Sequence, residues 1–160
     1  PICVDETITN QRVIRSLTQT RKVINFIIKL VIMIFFGKLL KQFTLYLNSQ
    51  NIIKLTLIKN TGAAFSFLND NTFSLIIISL ILLGFIVCYI YKNITKFDKT
   101  NFSAFLFLTS GAILNLSERI MYGRVDDFLE LPFVNFPLFN YYDLMITFGV
   151  FLLILKILKK

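Results

Sequence analysis

The 160-residue chain has no histidine, no tryptophan and only two cysteines. Without an imidazole there is no Ser-His-Asp or Cys-His catalysis and no His-ligated zinc. Cys3 and Cys88 are too few for a metal site or a disulfide framework. Charge is scarce as well: Asp, Glu, Lys and Arg make up 16% of residues, where a soluble domain carries roughly a quarter. Acids are the rarest, with nine Asp and Glu against 17 Lys and Arg, a formal charge of +8. What is abundant is apolar. Hydrophobic residues reach 56% and phenylalanine alone contributes 18, which excludes intrinsic disorder and exceeds what an ordinary soluble domain holds. The class that remains is a small basic membrane protein. Any enzymatic chemistry in it falls to carboxylates, hydroxyls or lysine.

Gaps in the charge distribution locate the membrane. Residues 72–91 are uncharged, and a helix of that length rises about 30 Å, the thickness of a bilayer core. Residues 102–117 are also uncharged but include Thr109, Ser110, Gly111 and Asn115. Residues 139–158 carry one carboxylate, Asp143, near their start. A further span lies within 23–47 with Lys29, Lys38 and Lys41, and lysines near the ends of a span can snorkel to the interfaces. The expected fold is all-α and polytopic, with four transmembrane helices at about 23–47, 72–91, 102–117 and 139–158. Residues 1–22 form a polar N-terminal segment that lacks the apolar core (about 7–15 residues) of a signal peptide. Residues 23–160 form the membrane-embedded domain.

Orientation follows from the flanks. Arg12, Arg15, Arg21, Lys22, Lys92, Lys96, Lys99, Lys156, Lys159 and Lys160 lie on one side, and Lys54, Lys59, Arg119 and Arg124 on the other. The positive-inside rule puts both termini in the cytoplasm and turns loops 48–71 and 118–138 outward. The basic excess is therefore a topology signal, and no nucleic-acid partner is expected.

Five of the nine acids fall between residues 118 and 143. A solvated loop accounts for Glu118, Asp126 and Glu130 but not for Asp143. A carboxylate at the head of an apolar helix is a functional candidate. Asn140 is also a natural N-cap, with Asp143 as its N3 residue favoured by the helix dipole. These facts leave both readings open. In the other outward loop, residues 52–60 and 64–67 partly alternate, with Asn60-Thr61-Gly62 as a turn signal. A small outer hairpin is expected there.

In order along the chain, three motifs resemble those of the lipoprotein signal peptidases, or signal peptidase II family. Asn60-Thr61-Gly62-Ala63-Ala64-Phe65-Ser66 is similar to N-x-G-A-A/S-F/W-S/G. Gly111-Ala112, Asn115 and Glu118-Arg119, followed by Gly123, Val125 and Asp127-Phe128, are similar to G-G/A-x-x-N-x-x-D-R…G-x-V-x-D-F. Phe136-Pro137, Phe139-Asn140 and Asp143 are similar to F-P-x-F-N-x-A-D. The resemblance covers roughly residues 23–158 and implies an aspartyl protease of the bacterial inner membrane, with a small outer sheet beside its four helices. It implies Asp127 and Asp143 as the catalytic pair. Asn60, Gly62, Asn115, Arg119 and Asn140 would orient that pair or bind substrate. It implies no metal and no cofactor. The implied partners are prolipoproteins, cut just before a Cys that carries a diacylglyceryl group, together with membrane lipid and globomycin-like inhibitors. The implied active site is at the outer face.

Four departures mark a divergent member. Glu118 stands where Asp is usual, and Tyr142 where Ala is usual. Gly37-Lys38-Leu39-Leu40-Lys41 aligns with D-Q-x-x-K only at Lys41, and the N-terminal segment is longer. Both aspartates are retained. A degenerate homologue that binds prolipoproteins without cutting them also fits. A small transporter would instead need ionisable residues facing one another at mid-membrane depth.

Overall fold

Long apolar runs in lipid must satisfy their own backbone hydrogen bonds, which selects helices. The computed structural model describes residues 2–52, 55–62, 71–131 and 136–159, with side chains from residue 11 onward. It is mostly helical: α1 (Ile2–Ser49), β1 (Ile58–Asn60), α2 (Thr72–Asn93), a short 3-10 turn (Ile94–Lys96), α3 (Lys99–Tyr122), β2 (Val125–Asp127) and α4 (Tyr141–Leu158). Polar side chains set the boundaries. Asn71 caps α2 by accepting from the Ser74 N–H, and Asp98 caps α3 by accepting from the Asn101 N–H. Gly123 ends α3 in the left-handed conformation, at φ 68°, a region that glycine enters without steric cost.

Among the described residues, three helices are long and apolar enough to cross a membrane, at Gln11–Ser49, Thr72–Lys96 and Tyr141–Leu158. They leave large apolar side chains such as Phe35, Phe36, Phe73, Phe85 and Phe151 exposed, as lipid-facing helices do. α3 is more polar for a packing reason. It touches α1, α2 and α4, so Thr109, Ser110, Gly111 and Asn115 are buried against protein. From Ile2 onward α1 is one uninterrupted helix through both the polar segment and the first apolar run. At 48 residues it is about 72 Å long, over twice a bilayer core.

Close packing of α3 on α4 relies on small residues. A Cβ at Gly149 would stand 2.7 Å from the Ala104 carbonyl oxygen and 2.8 Å from the Leu108 backbone nitrogen, and backbone atoms cannot move aside. Gly149→Val is expected to destabilise the protein by about 1–3 kcal/mol, seen as a lower melting temperature in detergent. Gly84→Val is the control, because a Cβ there meets nothing within 4 Å.

The two ends of the bundle differ. At one end Lys22 donates to the Thr95 carbonyl at 2.8 Å, and Lys156 pairs with Asp98 at 2.6 Å. At the other end lies a two-stranded sheet. β1 pairs antiparallel with β2 in the register Ile58↔Asp127, Lys59↔Asp126, Asn60↔Val125. Among the described residues, 58–60 thus pairs with the segment that follows α3. The expected hairpin strand at 64–67 lies outside the described residues.

Candidate active site

The site begins with turn chemistry. The Asn60 side-chain oxygen accepts from the Gly62 N–H at 2.9 Å, closing an Asx turn. The orientation fixed in this way leaves the Asn60 amide nitrogen to donate to Asp127 Oδ2 at 2.8 Å. Asp127 itself comes from β2, where alternation turns Val125 and Asp127 inward and leaves Asp126 partly exposed. Sixteen positions separate Asp127 from Asp143 in sequence, and a backbone bridge closes that gap. Phe128 and Leu129 N–H donate to the Phe139 carbonyl at 3.0 and 2.8 Å, and Phe139 N–H donates to the Leu129 carbonyl at 3.0 Å.

This bridge delivers Asn140, which is 1% exposed, to the centre of the site. Its amide nitrogen donates to Asp127 Oδ1 at 2.7 Å. Its side-chain oxygen accepts from the Tyr142 and Asp143 N–H groups at 2.7 and 3.3 Å. Its backbone N–H donates to Asp143 Oδ2 at 3.1 Å, completing a capping box at the start of α4. Asn115, from α3, donates to Asp143 Oδ1 at 2.7 Å. The capping reading of Asp143 and its place among candidate site residues are therefore compatible, since one residue serves both. Arg119 donates to the Gly62 carbonyl at 3.1 Å and to the Asn115 carbonyl at 3.4 Å. One hydrogen-bonded network thus joins Asn60, Gly62, Asn115, Arg119, Asp127, Asn140 and Asp143. Gly62 takes part through its backbone alone.

Each of the four carboxylate oxygens accepts one N–H. Asp127 is 3% exposed, and burial pushes its carboxyl above the ordinary carboxylate value. The Asn140 and Asn60 amides oppose that shift, the neighbouring Asp143 charge adds to it, and Lys41 opposes it. Among the described residues no group of three or more His, Cys, Asp or Glu is placed to hold a metal ion.

Two expectations need correction. Lys41 does not snorkel. It is 3% exposed and pairs with Glu118 Oε2 at 2.6 Å, beneath the rings of Tyr142 and Phe128 at 5.0 and 5.8 Å. For the same reason Glu118 is not a solvated loop residue. The carboxylate of Glu118 also accepts from the Asp126 N–H at 3.4 Å. In sequence Glu118 and Tyr142 are separate departures and Lys41 a lone match, because residues 77 and 24 positions apart show no pairing signal. Glu130 is exposed, as expected.

A family model described as signal peptidase (SPase) II matches residues 21–159. The chain is 40% identical over 109 residues to a lipoprotein signal peptidase of Caldicellulosiruptor bescii, covering 68% of this chain and 69% of that one. It is 36% identical over 109 residues to a lipoprotein signal peptidase of Streptococcus thermophilus, covering 68% and 71%. Two solved structures, each described as a bacterial membrane enzyme obtained by the in meso method, share the fold. The one at 2.3 Å resolution superposes with a TM-score of 0.69 at 27% identity, over 84% of this chain and 88% of that chain. The one at 1.9 Å gives 0.67 at 27%, over 85% and 94%.

Proposed function

The chain belongs to the signal peptidase II family and is a membrane protease that removes signal peptides from prolipoproteins; within that activity we propose an aspartyl mechanism in which Asp127 and Asp143 are the catalytic pair. One observation carries this reading: Asn140 holds Asp127 with its side chain and Asp143 with its backbone N–H. Asp127 is buried and the Asp143 charge acts on it; two carboxylates held by one residue cannot both ionise cheaply, so in this mechanism the pair holds one proton between them. The ionised carboxylate takes a proton from water, whose oxygen bonds to the scissile carbonyl carbon. The protonated carboxyl hydrogen-bonds the carbonyl oxygen as it becomes an oxyanion. Collapse of the tetrahedral intermediate breaks the C–N bond, and the proton from water passes to the leaving nitrogen. Asn115 and Asn140 keep the carboxylates in register, while Asn60, Gly62 and Arg119 shape the wall that meets the substrate backbone.

In this reading α3 is the fourth transmembrane helix. Its 24 residues rise about 36 Å, and its polar groups face protein. Both termini are cytoplasmic by the positive-inside rule, which puts the carboxylate end of the bundle at the outer face of the bacterial inner membrane. The substrate enters sideways from the bilayer, because its signal peptide is an apolar segment and its diacylglyceryl-Cys carries acyl chains. Globomycin-like peptides would bind at the same carboxylate pair.

The test is cleavage of a diacylglyceryl prolipoprotein by the purified protein in detergent, with the new N-terminus read by mass spectrometry. The cut is expected immediately before the lipidated Cys, and the unlipidated precursor is cut far more slowly. Equal cutting of the two precursors overturns lipid recognition. Cleavage that persists in Asp127→Asn or Asp143→Asn overturns the aspartyl assignment. The rate should follow a bell in pH, falling in acid as the second carboxylate is protonated and in alkali as the shared proton is lost. A rate still rising above about pH 9 contradicts a shared proton.

A further inference from the structure

The proposed mechanism uses the two aspartates and their amides but leaves a buried ion pair beside them without a role. We infer that the Lys41–Glu118 pair, roofed by the Tyr142 ring, is a positioning unit that anchors strand β2 and sets the electrostatic field at Asp127. The inference rests on the aspartyl reading above. Its first support is connectivity. Glu118 accepts from Lys41 on α1 at 2.6 Å and from the Asp126 N–H on β2 at 3.4 Å. One carboxylate from α3 therefore ties the first helix to the strand, at the residue next to Asp127.

The second support is enclosure. The side chains of Lys41 and Glu118 are 4% and 12% exposed. The Tyr142 ring lies 5.0 Å from the Lys41 ammonium and is itself 2% exposed. A Cβ on Gly37, one turn before Lys41, would stand 3.8 Å from the Tyr142 ring and 2.7 Å from a Leu114 methyl. Glycine there lets α1 lie close over the ring. Three of the departures seen in the sequence, at Gly37, Glu118 and Tyr142, are thus neighbours around one lysine. With water kept out, the charges act across a medium that screens them weakly.

Among the described residues, the charged and titratable groups facing Asp127 are Lys41 from α1, Arg119 from α3 and Asp143 from α4, while β1 presents the Asn60 amide. Glu118 acts on Asp127 through Lys41, by balancing its charge. That gives two substitutions with opposite signs. Glu118→Gln keeps an acceptor for the Asp126 N–H but removes the balancing charge, so the lysine favours ionisation of Asp127 more strongly. Lys41→Met removes the attraction and leaves an acid nearby, so ionisation becomes harder.

The experiment is the pH profile of kcat/KM on a diacylglyceryl prolipoprotein in detergent, for the full chain and its variants. Glu118→Gln should move the limbs of the profile down by about half a pH unit, and Lys41→Met should move them up by at least that much. A merely structural lesion lowers the rate without moving the two variants' profiles in opposite directions. If Lys41→Met fails to fold, Lys41→Met with Glu118→Gln removes both charges and should return the limbs toward their original position. Tyr142→Phe retains the ring and should keep kcat within about threefold. In Tyr142→Ala water reaches the pair, so the Glu118→Gln shift should shrink to less than about half. Profiles that stay in place, or move in the same direction in both variants, overturn the electrostatic role. An undiminished shift in Tyr142→Ala overturns the role of the ring. The catalytic reading is tested separately: if Asp127→Asn still cleaves, that reading falls. If Asp127→Asn is inactive but Glu118→Gln and Lys41→Met keep the original profile, only this inference falls.

Discussion

Asp127→Asn and Asp143→Asn should each lower kcat by roughly 1,000-fold or more, and the double variant should be little worse than either single one. The non-additivity follows from the shared proton. The pair works as one acid and one base, so losing either carboxylate removes both functions. The substitutions are nearly isosteric but not silent in the hydrogen-bond network. Asp127 accepts from the amides of Asn60 and Asn140. Neither amide is free to turn over, because the Asn60 oxygen already accepts from Gly62 N–H and the Asn140 oxygen from Tyr142 N–H. An asparagine at 127 must therefore point its own NH2 at a donor, a mismatch costing about 1–3 kcal/mol. Relief of buried charge acts in the opposite direction. Burial raises the Asp127 carboxyl in the folded state. Its contribution to stability is thus fully present below the ordinary carboxylate value and is lost as pH rises through the raised one. The melting temperature of Asp127→Asn relative to the parent protein should accordingly improve from acid to neutral pH while cleavage stays abolished. A variant that unfolds at every pH would leave Asp143→Asn as the measure of catalysis, and restored cleavage there sinks the mechanism.

What could be read in the sequence divides along a physical line. Helices written as uncharged apolar runs were legible, as at 72–91, because a bilayer imposes its thickness on composition. The site asparagines were legible because each occurs at a fixed offset within a motif. The Asn140 N-cap with Asp143 at N3 is legible as one of two open readings, from a three-residue spacing that depends only on helix geometry; the reciprocal bond that completes the capping box is seen only in the structure. Contacts between distant segments were not legible. Nothing in 58–60 says that its partner is 125–127, since a three-residue strand carries too little pattern to specify pairing. Lys41 looked like a snorkelling residue because its counter-ion, Glu118, lies on another helix. Polarity in α3 blurred its membrane reading for a related reason: Thr109, Ser110 and Asn115 are turned toward neighbours that a one-dimensional profile does not contain.

Asn140→Ala should be the most damaging change outside the two aspartates, lowering kcat by at least about 100-fold and the melting temperature as well. The residue does two separable jobs. As N-cap it satisfies the Tyr142 and Asp143 N–H groups, worth about 0.5–2 kcal/mol. As a bridge it donates to Asp127 Oδ1 at 2.7 Å, and without it the buried carboxylate loses a partner and its alignment with Asp143. Asn140→Ser separates them. A serine hydroxyl accepts from the helix N-terminus almost as well as asparagine does, but it is too short to cap α4 and reach across to β2 at once. The serine variant should therefore recover most of the melting temperature lost in Asn140→Ala while kcat stays low. Recovery of both together would mean that Asn140 only starts a helix. Recovery of stability alone assigns the bond to Asp127 to catalysis, and makes this single side chain the means by which strand β2 and helix α4 hold their carboxylates in register.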